Sequence, residues 1–174
     1  EAYCAIVLGV LLLIELVMEV RGRKAPRGMS IASGVVALVL AVVMGFAYVG
    51  NYAVPAWTDW TTVPLYAVAD VAMGAALVGL FEPARYEKPA LLVTSVVSQA
   101  LALLTFVLVG MHFAYIGRSA APFALAAVLT GAVPFALAMV ARKKPSGGLA
   151  AAVFACSVIG VAVARYAFYA ASIL

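Results

Sequence analysis

The sequence predicts an all-α integral membrane protein: a single bundle of six transmembrane helices joined by short loops. Three observations predict it. The chain is 67% hydrophobic and only 10% charged, whereas about a quarter of the residues in a soluble domain are charged. The charge is segregated into short loops. The apolar runs between those loops are continuous, without the alternation of a membrane strand. A helix rising about 1.5 Å per residue needs roughly 20 such residues to cross a hydrocarbon core about 30 Å thick.

Six runs meet that requirement, and each closes its own backbone hydrogen bonds as a helix in lipid. The first extends from Glu1 to Val20 and the second from Met29 to Tyr52. The third, Leu65 to Phe81, is the shortest and relies on Ala and Gly. The fourth covers Ala90 to Tyr115, the fifth Ala121 to Ala141 and the sixth Leu149 to Leu174. Pro134 is expected to kink the fifth. Ala72, Gly74, Ala75, Ala76 and Gly79 give the third span the small faces that close helix packing requires, which predicts a central position for it.

Three alternate loops, 21–28, 82–89 and 142–148, hold nine of the eleven Lys and Arg residues. By the positive-inside rule they face the cytoplasm. The 51–64 loop, the 117–119 turn and the C-terminus then face outward. The net charge of +4 therefore belongs to loops beside an anionic leaflet rather than to a nucleic-acid surface. The chain opens on Glu1 at the outer edge of a span with no loop before it, and is expected to be the C-terminal part of a longer protein.

Several chemistries are excluded by composition. One histidine cannot hold a haem between two axial imidazoles, and Cys4 and Cys156 are too few for an iron–sulfur cluster. They stand at different depths, so a disulfide is not expected. No phosphate-binding or dinucleotide motif and no nucleophile elbow occurs. No metal site is expected.

The remaining candidates are polar groups inside spans, where ionisable residues are costly and mark function. Asp70 falls about 8 Å below the outer end of its span, and Arg165 about 24 Å above the inner end of the last. Glu1 and His112 also fall near the outer surface. The loop above them holds Tyr48, Asn51, Tyr52, Trp57, Asp59 and Trp60. One polar pocket near that surface accounts for the whole set. A plainer account has Asp70 and Arg165 locking two helices together, and His112, Tyr52, Trp57, Trp60, Tyr115 and Tyr169 forming an interfacial belt. Glu15 and Glu19 are expected to neutralise Arg21 and Arg23 or to snorkel. Ser95, Ser98 and Gln99 are expected to hydrogen-bond neighbouring helices.

Two segments carry a family resemblance. One is Ala47-Tyr48, followed by Val54-Pro55-Ala56-Trp57 and Trp60-Thr61; the other is Arg165-Tyr166-Ala167-Phe168-Tyr169. Both resemble the dimethyl sulfoxide reductase anchor subunits, whose eight spans this chain would match over the last six. The resemblance implies a membrane anchor in the cytoplasmic membrane of a prokaryote. Such an anchor oxidises exchangeable menaquinol near the outer face and passes electrons to an iron–sulfur subunit that serves a molybdopterin catalytic subunit. In that register Glu1 matches an acidic residue associated with quinol binding. Glu1 and His112 are then the candidate proton acceptors. Asp70, Arg165, Tyr48 and Trp57 complete the expected quinol site, with His112 and Asp70 placed there by depth alone. Two competing functions remain open from the residues: a small transporter gated by Asp70 and Arg165, and a structural scaffold without a ligand.

Overall fold

The computed structural model describes residues 2–172. Its long helices are α1 (Ala2–Val20), α2 (Arg27–Val49), α3 (Thr62–Phe81), α4 (Pro89–Tyr115), α5 (Ala121–Ala141) and α6 (Gly147–Ala170), each long and apolar enough to cross a bilayer. No strand occurs among the described residues. The protein is a six-helix, all-α membrane protein.

Helix ends follow local chemistry. Gly22 and Gly117 have φ of 69° and 76°, the left-handed conformation in which glycine closes a helix at least cost. At the end of α4, the Gly117 N–H donates to Ala114 O and the Arg118 N–H to Phe113 O; at the end of α1, Gly22 donates to Glu19 O and Arg23 to Met18 O. Both are Schellman closures. At the start of α6 the Ser146 hydroxyl accepts from the Leu149 N–H at 3.2 Å, an N-cap that begins the helix two residues before the expected Leu149. α2 stops at Val49 rather than Tyr52. α3 begins at Thr62, three residues before Leu65, because Pro64 is tolerated in a first turn that has no use for its missing N–H.

The helix containing Pro134 is irregular. Residues Ala127–Ala132 widen into a π turn between two α-helical parts. Proline removes one helical hydrogen bond and presses its ring toward the carbonyl four residues earlier, here that of Thr130. The expected disturbance is absorbed by a wider turn immediately ahead of the proline.

α3 lies at the centre, against α2, α4 and α6. Its buried positions include Leu65, Tyr66, Ala69, Ala72, Ala76 and Gly79, spaced three or four apart as a helix face requires. Gly74, expected among them, is exposed and lines a groove instead. Large aliphatic side chains point the other way: Leu13, Leu16, Ile31 and Val93 are all more than half exposed. This is the arrangement lipid selects, since tails as apolar as Leu give no reason to bury it, while small residues let backbones touch. α1 is peripheral. It packs on α2 with none of its residues buried, and Glu15 accepts a 2.8 Å hydrogen bond from Ser33 of α2. Glu15 therefore ties two helices together rather than serving Arg21 and Arg23.

The polar residues of α4 also depart from expectation. Ser98 donates to Ser95 O, and Gln99 donates to the Ser95 hydroxyl, so these two contacts run along α4, while Gln99 Oε1 stays buried without a partner among the described residues.

Backbones approach closely around the π turn. A Cβ built on Gly131 would stand 2.5 Å from Leu103 Cβ and 2.8 Å from its Cα, and one on Gly160 would run into Thr130. Gly131→Ala is therefore expected to lower stability by about 1–3 kcal/mol, the usual cost of overpacking. Gly74→Ala, which meets open space, should stay within about 0.5 kcal/mol of the parent. Unfolding of both variants in mixed micelles checks this, and equal stabilities would contradict the packing account.

Candidate functional site

A cluster of aromatic and charged side chains forms where α2, α3 and α6 end beside the 50–61 loop. Asp70 of α3 accepts from Arg165 Nη2 of α6 at 2.5 Å. One turn toward the loop, the Tyr66 hydroxyl donates to that of Tyr169 at 2.9 Å. Tyr66 and Asp70 are four apart on one helix, and Arg165 and Tyr169 four apart on the other. Each pair shares a face, and the two faces oppose each other on antiparallel helices. The Arg165 guanidinium lies 4.8 Å from the Tyr66 ring centre, a cation–π placement that compensates for leaving water.

Aromatic packing extends the cluster. Tyr48 of α2 stacks on Tyr66 with centroids 5.3 Å apart and meets Trp57 edge-on at 5.1 Å. Trp57 is 8% exposed, stacks on Phe168, and its indole N–H donates to Phe168 O at 2.8 Å. Its own carbonyl accepts from Thr62. The short helical turn Pro55–Trp57 is thereby pinned between α3 and α6. Trp57 is a fastener for the loop, with its single donor already used.

A second polar pair stands beside the first. His112 Nδ1 of α4 is 3.8 Å from Asp59 Oδ2. The other carboxylate oxygen of Asp59 accepts from the Thr61 N–H and the Thr61 hydroxyl. His112 Nε2 is buried without a hydrogen-bond partner. The pair brings the loop close to α4.

The expected site residues thus separate into groups. Asp70, Arg165 and Tyr48 come together; Trp57 joins them only as packing; His112 belongs to the Asp59 pair. Glu1 lies outside the described residues. Tyr66, Phe168 and the pairing role of Tyr169 were not anticipated. The first and last had a readable signal, each standing one helical turn from an intramembrane charge. Tyr52, Trp60 and Tyr115 are 84%, 66% and 88% exposed, as belt residues should be. Among the described residues no group of three or more His, Cys, Asp or Glu could hold a metal, and the thiols of Cys4 and Cys156 are free and half-buried.

Only part of the cluster reaches a cavity. Asp70 lines a groove of about 450 Å³ between α1, α2 and α3, walled by Leu8, Gly34, Ala41, Met44 and Gly74. It is partly open and apolar, and among the described residues Asp70 is its one carboxylate. The Asp70 side chain is 39% exposed and that of Arg165 27%. Removing one partner of a buried ion pair costs about 3–5 kcal/mol. Partial exposure lowers that figure, so Arg165→Met is expected to cost about 1–3 kcal/mol. The double variant Asp70→Leu/Arg165→Met should recover most of the loss. Unfolding midpoints for the single and double variants check the coupling; additive losses would mean that the two side chains act independently.

Compared with known proteins, the chain matches no family model, no curated protein and no solved structure.

Proposed function

We propose that this chain is the membrane anchor of a dimethyl sulfoxide reductase-type complex and oxidises menaquinol in the groove that Asp70 lines. The observation that carries this reading is a single ionisable group, among the described residues, in an apolar and partly open groove. A hydrophobic quinol diffusing in the bilayer reaches such a groove without crossing water. Pockets for apolar ligands combine greasy walls with a few polar groups that fix orientation.

Quinol oxidation releases two electrons and two protons. Asp70 Oδ1 is held by Arg165, which leaves Oδ2 to accept a hydrogen bond, and then a proton, from a quinol hydroxyl. Arg165 keeps the carboxylate oriented and offers positive charge to the ring oxygen as the proton departs. The second proton would leave through water at the loop surface, and an iron–sulfur partner, if bound, would take the electrons one at a time. His112 and Asp59, beside the loop, suit the exit of protons better than contact with the ring.

A second reading has one observation in its favour. Asp70 and Arg165 are already paired with each other, as they would be in a scaffold that binds no ligand.

Titration of the chain in lipid nanodiscs with a menaquinol-analogue inhibitor, read by tryptophan quenching, separates the two. Saturable binding is expected, weakened at least tenfold (about 1.4 kcal/mol) by Asp70→Asn. Gly34→Leu should weaken it likewise, since a side chain there enters the groove without a clash. Binding unaffected by both substitutions, or none at all, would leave the scaffold. Iron and molybdenum co-purifying with the tagged chain test the assignment of partners.

A further inference from the structure

Separate from the Asp70 groove, a larger one of about 670 Å³ runs along α6 against the adjoining ends of α4 and α5. We propose that it binds one anionic phospholipid, with an acyl chain along the groove and the phosphate on Arg118.

Its walls are apolar over most of their length. Val158, Ile159, Ala162 and Val163 lie deep, and Ala167 and Ala170 nearer the mouth. The alanines make the trough, because larger side chains at those positions would fill it. From Val158 to Ala171 the groove follows α6 for about 20 Å, somewhat more than one leaflet of a hydrocarbon core about 30 Å thick. An acyl chain anchored at the surface covers that depth.

The mouth is set for a phosphate. Arg118 and Ser119 border it in the turn that joins α4 to α5. The Arg118 backbone is fixed by the Schellman closure on Phe113 O. Its guanidinium makes no ion pair and no hydrogen bond among the described residues. The turn 116–120 contains no acid. A guanidinium presents five donors and pairs with phosphate through two at once. A bare cation above a leaflet-deep apolar trough is complementary to a lipid carrying a negative headgroup. None of these residues lines the Asp70 groove, so the inference stands apart from the quinol reading.

Native mass spectrometry of the detergent-solubilised chain, titrated with dipalmitoyl phosphatidylglycerol, tests it. One lipid should be retained, with affinity reduced at least about fivefold by Arg118→Gln, the weight of one basic residue toward an anionic surface. Arg118→Lys should restore most of the binding. Ala162→Trp, which occupies the trough and keeps the charge, should abolish it, and Lys143→Gln at the far end of the bundle should change nothing. Equal retention of uncharged dipalmitoylglycerol would overturn the proposal. So would binding indifferent to both Arg118→Gln and Ala162→Trp, or displacement of the lipid by menaquinone. Helical circular dichroism of each variant confirms that loss of lipid is not loss of fold.

Discussion

Asp70 and Arg165 are one turn away from Tyr66 and Tyr169 along their respective helices, and the two pairs close at 2.5 and 2.9 Å. Two polar contacts at matched spacing fix both the direction and the register of α6 against α3. A slide of one residue along either helix would rotate the partner side chains apart by about 100°. In lipid, where apolar side chains gain little by leaving their solvent for one another, such contacts specify which packing is adopted. Their cost in isolation is high, because a charge facing hydrocarbon without a partner is unstable. Much of the architecture at this end of the bundle depends on that pairing. Trp57 donates to a carbonyl of α6, so the loop is seated only when α6 is in place.

The rest of the bundle is held by a different means. Around Gly131 and Gly160 the backbones of α4, α5 and α6 come so near that a methyl group would collide. Dispersion at that range replaces the hydrophobic effect as the source of cohesion. The π turn at Ala127–Ala132 lies within this region. It reconciles the proline of α5 with close packing on both neighbours, and it places Thr130 where its hydroxyl reaches the Ser157 carbonyl of α6. The bundle thus has a polar clamp at the Trp57 end and a small-residue seam through its middle.

The two grooves follow from this division. Where side chains are large and paired, the helices mesh; where they are Ala and Gly beside a diverging neighbour, a trough remains. Gly34 and Gly74 border the groove that reaches Asp70, and Ala162 and Ala170 border the one beneath Arg118. Each is an apolar cleft with one charged residue on its wall. They differ in that Asp70 is paired while Arg118, among the described residues, is not. A paired charge in a membrane has a structural reason to be there. A bare one is explained by whatever ligand or water covers it, which is why the two clefts are read differently.

How much was legible beforehand depends on what each residue answers to. Span number, helix type and loop position came from hydropathy and charge segregation. These are properties of consecutive residues, because every peptide group in a bilayer must be satisfied within its own segment. The central place of α3 came from its small residues for the same local reason. Depth along a helix is likewise a count of residues, so Asp70, Arg165 and His112 could be assigned to the same end of the bundle. Azimuth could not. Which way a side chain faces around the bundle is set by the neighbours' packing, and only the assembled helices showed Asp70 meeting Arg165, His112 meeting Asp59, Glu15 meeting Ser33 and Trp57 turned inward from the belt. The chain by itself determined that it lies in a membrane, and how far along each span its charges fall, because lipid imposes those limits one segment at a time. The tertiary structure alone decided which charges are paired and which line a cleft, because contact between helices depends on rotation and register that no single segment encodes.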